Sequence, residues 1–245
     1  MSILKLSLCA AVATAAMGFA SAASAQDAGY TVAFNAGAAT DYVFRGVDQT
    51  GDQDQGEVFG GVDLTVSQFY AGAWLSTTGL SGANGAEYDL YAGWKPSIGP
   101  VALDLGAIYY GYTKDSLTPN VVSPDFNTLE WKAAASLPIG PATVGAAAYY
   151  SNDFAGTDED SWYYELNASY TLANKATVSG AVGQFQTDAF VGSPDSYLTW
   201  NAGVTYPITD KVGVDLRYIG TDGDARTLYG RNAYSGAVAT LKVSF

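Results

Sequence analysis

An alternation of apolar and polar residues with a period of two constrains this chain more than any other feature. From Val32 to Phe44 every second residue is apolar, small or aromatic, apart from Thr40, whereas the intervening positions carry Asn35, Asp41 and Arg45. Successive side chains of a β-strand point to opposite faces, so one face of this segment is apolar and the other carries its charges. The pattern predicts a strand that begins near Val32 and runs to the end of this segment.

The same alternation recurs along the chain and predicts twelve strands in all. The other eleven lie near 58–67, 69–77, 86–94, 101–112, 126–137, 142–151, 161–171, 176–186, 196–206, 211–220 and 233–245, and 176–186 is the most weakly patterned. Short connections, such as Pro207–Asp210, alternate with long polar loops, such as 113–125 and 47–57, which contains Asp48 and Glu57. Short turns on one side and long loops on the other are typical of bacterial outer-membrane barrels. We therefore predict an all-β fold, a single antiparallel transmembrane β-barrel of about twelve strands.

The first 25 residues have the features of a cleaved secretory signal peptide. Lys5 precedes a short apolar stretch, Leu6 to Ala16, and Ala23-Ser24-Ala25 is a small-residue cleavage site. The apolar stretch is too short to span a bilayer as a helix. The expected domains are thus a signal peptide at 1–25 and a barrel at 26–245.

The charged faces of the strands are expected to line a wet interior, and the apolar faces to contact lipid. Asp41/Arg45, Glu87/Asp89, Glu130/Lys132 and Asp215/Arg217 are each spaced evenly, so both charges of a pair share a face. Aromatic residues of the opposite face cluster towards the strand ends, as in the two interfacial girdles of a membrane barrel. The outer girdle is expected to contain Tyr42, Phe44, Tyr109, Tyr150, Trp162 and Tyr218, and the inner one Trp94, Tyr170, Tyr206 and Phe245.

The last strand carries a candidate assembly signal. Leu241, Val243 and the terminal Phe245 share the apolar face, which resembles the C-terminal strand that the barrel-assembly machinery reads. The expected partners are therefore this machinery, outer-membrane lipid and lipopolysaccharide, together with small solutes or ions. A nucleic-acid partner is not expected, because the net charge is −13 and phosphate binding needs clustered Lys and Arg.

The segment from Asn35 to Gly46, with its Asp-Tyr-Val-Phe-Arg-Gly core, resembles the opening strand of the TorF-type porins of Gram-negative bacteria. It departs from the typical members at Thr40 and Asp48, where they have serine. The resemblance implies an outer-membrane barrel with a pore, but it implies no particular solute.

Acidic residues predominate among those predicted to line the pore, which favours passive diffusion of cations. This set is Asp41, Arg45, Asp63, Glu87, Asp89, Asp104, Glu130, Lys132, Glu165, Asp215 and Arg217, with Lys242 as a further base. Within it we expect an ion pair between Asp41 and Arg45. The alternative is that the interior charges pair across strands and seal a non-conducting structural or surface-contact barrel.

Other functions are disfavoured by composition. The chain has no His, and its one Cys lies in the predicted signal peptide, so catalytic pairs built on His or Cys are excluded. An enzyme, a cofactor and a metal site are accordingly not expected. A soluble periplasmic barrel stays an alternative that the banding of aromatic residues disfavours.

Overall fold

The structure is a computed structural model that describes residues 29–51, 55–79, 85–113, 126–190 and 194–245. The predicted signal peptide lies outside these residues. The strands are β1 (Thr31–Ala39), β2 (Val43–Phe44), β3 (Val47–Asp48), β4 (Glu57–Val66), β5 (Phe69–Thr78), β6 (Gly85–Trp94), β7 (Ser97–Ile98), β8 (Val101–Tyr112), β9 (Thr128–Ile139), β10 (Ala142–Ser151), β11 (Ser161–Thr171), β12 (Thr177–Thr187), β13 (Ser196–Pro207), β14 (Val212–Thr221) and β15 (Gly236–Ser244). One short helix, α1 (Gly223–Tyr229), and the 3₁₀ turns Phe154–Gly156 and Gly230–Asn232 complete the described elements.

Twelve long strands form a closed antiparallel barrel, which confirms the predicted fold class. Each of these strands pairs with the next one along the chain, and β6 pairs with β8 across the short strand β7. The barrel closes where β1 meets β15, with Asn35 opposite Ser244 and Ala39 opposite Thr240. The weakly patterned segment near 176–186 is a full strand, β12, and pairs along its whole length with β11.

The connections alternate in length as predicted. At one end of the barrel the turns are short, and two of them contain the repeated Ile-Gly-Pro sequence. Gly99 and Gly140 of these repeats have φ values of +59° and +62°, a conformation that glycine adopts without the steric penalty of a side chain. The long connections lie at the opposite end, which is the extracellular end in barrels of this class.

The outer surface of the barrel is apolar and the inner face is polar. Leu90, Leu166 and Leu216, from three well-separated strands, are 54%, 62% and 62% exposed, whereas the residues that precede them, Asp89, Glu165 and Asp215, are buried. Exposed aromatic side chains lie near both ends, including Trp162 and Tyr218 at one end and Tyr170 and Phe245 at the other. A closed β-sheet with an apolar exterior and a charged interior can face lipid, because its backbone groups are paired and its charges point away from the bilayer. The protein is therefore an outer-membrane β-barrel. None of the helices in the described residues is long and apolar enough to cross a membrane.

The first strand is shorter than predicted. β1 ends at Ala39, and the chain then turns into the barrel. Tyr42, expected in the lipid-facing girdle, is only 3% exposed and lies inside. Phe44 also packs inside, edge-on to Tyr110 with ring centroids 5.7 Å apart. Burial against interior partners outweighs the alternation of the sequence at these positions.

Candidate functional site

Residues 41–50 form a small hairpin within the outer part of the barrel, here called the inner hairpin. Its two short strands, β2 and β3, pair Val43 with Asp48 and Phe44 with Val47. Arg45 and Gly46 form the turn with φ values of +49° and +81°, as in the two-residue turns that suit the twist of β-hairpins. All ten residues except Phe44 are buried. The inner hairpin therefore occupies interior space that the sequence assigned to a simple continuation of β1.

Arg45 anchors the tip of the inner hairpin to the barrel wall. Its Nη1 and Nη2 donate to Oε1 and Oε2 of Glu130 on β9, at 2.6 and 2.8 Å. The guanidinium also lies 4.3 Å from the ring centroid of Tyr163 and 5.0 Å from that of Tyr149, within the range of cation–π attraction. The predicted ion pair between Asp41 and Arg45 is wrong, because the turn carries the Arg45 side chain across the interior to Glu130.

Further contacts hold the inner hairpin on the other sides of the barrel. Tyr42 Oη donates to Glu87 Oε1 at 2.6 Å, and its ring packs edge-on against Trp74 of β5. On the opposite side, Tyr197 Oη of β13 donates to the carbonyl of Arg45 at 3.1 Å. Since these partners lie on strands far apart around the barrel, the inner hairpin spans the interior rather than lying against one wall.

The connection between β14 and β15 packs over the same region. Asp222 caps helix α1 by accepting from the backbone amide of Ala225, which is fully buried. Tyr229, at the end of α1, packs edge-on against Tyr197 with ring centroids 5.6 Å apart. The amide of Tyr234 donates to the carbonyl of Gly46 at 2.8 Å. The helix and the inner hairpin thus form one packed unit at the outer end.

Carboxyl groups are concentrated around the inner hairpin. Asp41, Asp48, Glu57, Glu87 and Asp89 are all buried. Asp48 and Glu57 had been assigned to a long exposed loop, and the structure places them inside instead. Two of their oxygens, Oδ2 of Asp48 and Oδ1 of Asp89, lack a hydrogen-bond partner among the described residues. Such groups are costly to leave unpaired in a dry interior.

The periplasmic half of the interior differs, because its charges are paired. Lys132 Nζ lies 2.7 Å from Asp104 Oδ2, and Lys95 Nζ lies 3.9 Å from the same oxygen. Arg217 contacts Asp215 at 3.2 Å and donates to Asn201 at 2.6 Å. In this half of the interior, each of these acidic side chains is therefore neutralised by a neighbouring basic one.

The remaining predicted interior residues also lie on the inner face of the barrel. Asp63 accepts from Tyr91 Oη at 2.6 Å, and Glu165 accepts from Tyr163 Oη at 3.0 Å. Lys242, on β15, is only partly exposed and interacts electrostatically with Asp63. No group of three or more potential metal-ligating side chains occurs in the part of the chain that the structure describes.

The inner hairpin is not predicted by the alternation, although one sequence feature indicates it. Arg45-Gly46 separates the apolar pair Val43-Phe44 from Val47, and a glycine between short apolar stretches is a feature of hairpin turns. The uninterrupted alternation from Val32 to Phe44 concealed this turn. The interior positions of Asp48 and Glu57 were not predicted either, because both residues follow this unrecognised turn in sequence.

Comparisons with known proteins agree with the fold. The sequence model of a family described as "Bacterial protein of unknown function (Gcw_chp)" matches residues 22–245. No curated protein matches the chain significantly.

Among solved structures, a KdgM porin superposes with a TM-score of 0.58 at 7% identity, covering 87% of this chain and 98% of that one. A NanC porin gives 0.58 at 11% identity with the same coverage. The COG4313 outer membrane channel from Pseudomonas putida F1 gives 0.51 at 10% identity, covering 88% of this chain and 94% of that one. At these identities the likeness concerns the fold alone.

Proposed function

The chain belongs to the Gcw_chp family of bacterial proteins of unknown function, and we propose that it is a narrow porin-like channel for small solutes or ions that prefers cations. The observation that carries this proposal is the excess of acidic over basic side chains on the interior surface. The interior acids are Asp41, Asp48, Glu57, Asp63, Glu87, Asp89, Asp104, Glu130, Glu165 and Asp215. The bases that face them among the described residues are Arg45, Lys132, Arg217 and Lys242, with Lys95 at the periplasmic end. Ten carboxyl groups thus face five cationic groups.

The imbalance is concentrated in the outer half of the barrel. Six of the acids lie on the inner hairpin or near the extracellular ends of their strands, and the one base among them, Arg45, is already bound to Glu130. Acidic rings attract cations and repel anions, and a low-dielectric wall strengthens both effects. The extracellular half of the barrel is therefore where cations would be selected over anions. The periplasmic half, whose charges are paired, would discriminate less between cations and anions.

The size of the barrel supports a narrow passage. Barrels of about eight strands are filled by their own side chains, whereas those of 16–18 strands leave an open channel. Twelve strands lie between these cases, and the inner hairpin takes up part of the interior. We therefore expect small ions, rather than large solutes, to pass.

A second candidate function is a non-conducting barrel whose outer surface makes contacts. The observation that favours it is the inner hairpin itself, which bonds to Glu87, Glu130 and Tyr197 on different sides of the interior. A barrel whose interior is filled at the level of this hairpin would not conduct.

Planar-bilayer recording of the purified protein separates the two candidates. A channel gives discrete conductance steps on insertion, and in a salt gradient its reversal potential has the sign of cation preference. Absence of steps over many insertions would favour the non-conducting barrel. Steps with an anion-selective reversal potential would keep the channel but refute the cation preference.

We propose two further properties that the sequence predicts. The resemblance of Asn35–Gly46 to the TorF-type porins supports a pore, and it stays a prediction. Leu241, Val243 and Phe245 are proposed as the signal for the barrel-assembly machinery. Phe245 is half exposed, and its backbone exchanges hydrogen bonds of 2.9 and 3.2 Å with Phe34 at the seam. Outer-membrane lipid around the exposed apolar surface, and lipopolysaccharide at the outer end, are proposed as further partners.

A further inference from the structure

Two buried carboxyl groups lie next to each other on the inner hairpin. Val43 pairs directly with Asp48, and Asp41 lies two residues before Val43 on the same face. Asp41 is therefore the diagonal neighbour of Asp48 across the hairpin. Asp41 is 2% exposed and Asp48 is fully buried.

The side chains that act on Asp41 within the described residues are acids and a phenol. Asp41 faces Asp48 from β3, Glu57 from β4 and the phenol of Tyr234 from the segment before β15. Asp48 Oδ1 accepts from the amide and hydroxyl of Thr50, at 2.7 and 2.6 Å. Arg45 lies on the same hairpin, but its two terminal nitrogens are bound to Glu130. If both members of the pair were ionised, their charges would be left uncompensated in a buried site.

Burial, followed by the negative charge of Asp48, raises the pKa of Asp41 to about 7. An aspartate in open solvent titrates near 3.9. The seated hairpin therefore binds a proton more tightly than a hairpin released into water would.

We propose that the inner hairpin is a proton-held plug: a proton on the Asp41–Asp48 pair keeps it seated, and loss of this proton favours its release from the barrel. This inference rests on the proposed channel function, because release of the plug is what would widen the passage. In this proposal, proton binding regulates the channel.

The direction of the pH effect follows from linkage. Below about pH 4 both states are protonated, and the proton's contribution to seating is fully present. Between about pH 4 and about 7 the seated hairpin keeps its proton while the released one has lost it, so each pH unit favours release up to tenfold. Above about pH 7 both states are ionised and the effect levels off.

Cysteine labelling tests release without depending on conduction. Val47→Cys places a thiol on the inner hairpin at a position that is 7% exposed. Its labelling rate by a soluble maleimide is measured in the full barrel at pH 5 and pH 8, relative to a permanently exposed thiol, Thr157→Cys, which corrects for thiolate formation. We expect the normalised rate to rise at least about tenfold between these values.

Substitutions of Asp41 and Asp48 identify the carboxyl group that causes the pH dependence of labelling. Asp41→Asn cannot lose a proton, so with Val47→Cys it should give a normalised ratio near one. Asp48→Asn, which can still accept from Thr50, should reduce the response and provides a second test if the first variant does not fold. Asp224→Asn removes an exposed acid of α1 at the same end and should leave the tenfold response unchanged.

The outcomes distinguish the plug from the channel. A pH-independent ratio at Val47→Cys, or a full response that persists in Asp41→Asn, would overturn the plug. A pH response in labelling without any conductance steps would support the moving hairpin and refute the channel. Conductance steps with a pH-independent ratio would keep the channel and refute the plug.

Discussion

Arg45 and Glu130 are 85 residues apart in sequence and form a bidentate ion pair whose side chains are 2% and 3% exposed. The pair joins the tip of the inner hairpin to β9. Because Tyr110 Oη also donates to Glu130 Oε2 at 3.1 Å, the carboxylate is well satisfied. This contact is one of several that hold the inner hairpin inside the barrel.

Breaking this ion pair on one side should loosen the inner hairpin. Arg45→Met leaves the Glu130 carboxylate buried without its partner, which typically costs about 3–5 kcal/mol. Conductance in planar bilayers and labelling of Val47→Cys should both increase. The double variant Arg45→Met with Glu130→Gln removes both charges and should restore much of the seating. Equal effects of the single and double variants in this cycle would show that the pair does not hold the inner hairpin.

Gly46 is expected to tolerate no side chain. Its φ of +81° is unfavourable for other residues by about 1–2 kcal/mol. A Cβ atom there would also clash with Thr221 and lie 2.6 Å from Thr199 Oγ1. Gly46→Ala should therefore increase labelling of Val47→Cys at pH 5.

Gly99→Ala is the matched control for this substitution. Gly99 also has a positive φ, but nothing lies within 4 Å of a Cβ built on it. It should carry the backbone penalty alone, at the periplasmic end, and leave labelling unchanged. Unchanged labelling in Gly46→Ala would mean that the turn is not held against β13 and β14.

Neutralising the outer acids should weaken cation preference. Glu87→Gln with Asp89→Asn removes two buried carboxyl groups from β6 while keeping their size. The reversal potential in a salt gradient should move towards zero. Asp215→Asn serves as a comparison, because its carboxylate is paired with Arg217 at the inner end, and we expect a smaller shift. An equal or larger shift in that variant would contradict selection at the outer end.

The sequence predicted the barrel well because strand alternation and turn length are local properties. Each of the twelve strands was located, and Leu90, Leu166 and Leu216 lie on the outer surface as expected. The interior was harder to predict, since Arg45 and Glu130 meet only after the barrel closes. Two aromatic residues of the inner hairpin, Tyr42 and Phe44, continue the spacing of the lipid-facing residues of β1. A period of two therefore cannot distinguish a strand of the wall from a hairpin folded inside it.

A charge on the outer surface should destabilise the barrel, whereas a charge at the next residue should not. Leu166 lies in the middle of β11 and is exposed, while Asn167 points inwards and donates to Glu165. Leu166→Arg should lower the free energy of unfolding in lipid vesicles by about 2–4 kcal/mol. Asn167→Arg is the matched control and should have a much smaller effect, since it lies near an acid. Equal losses from both variants in denaturant titrations would contradict the assignment of the faces.

Phe245 should matter for assembly more than for stability. Phe245→Ala keeps the backbone hydrogen bonds to Phe34, so the purified variant should refold in detergent nearly as well as the parent. In cells, recognition of the last strand should be weakened and the amount of protein in the outer membrane should fall severalfold, as measured by quantitative blotting of membrane fractions. Phe69→Ala, which removes an exposed aromatic ring at the start of β5 near the same end, controls for general loss of interfacial contacts. If both variants reach the membrane at the parental level, the terminal Phe is not an assembly signal. If Phe245→Ala also fails to refold in detergent, its effect in cells reflects stability.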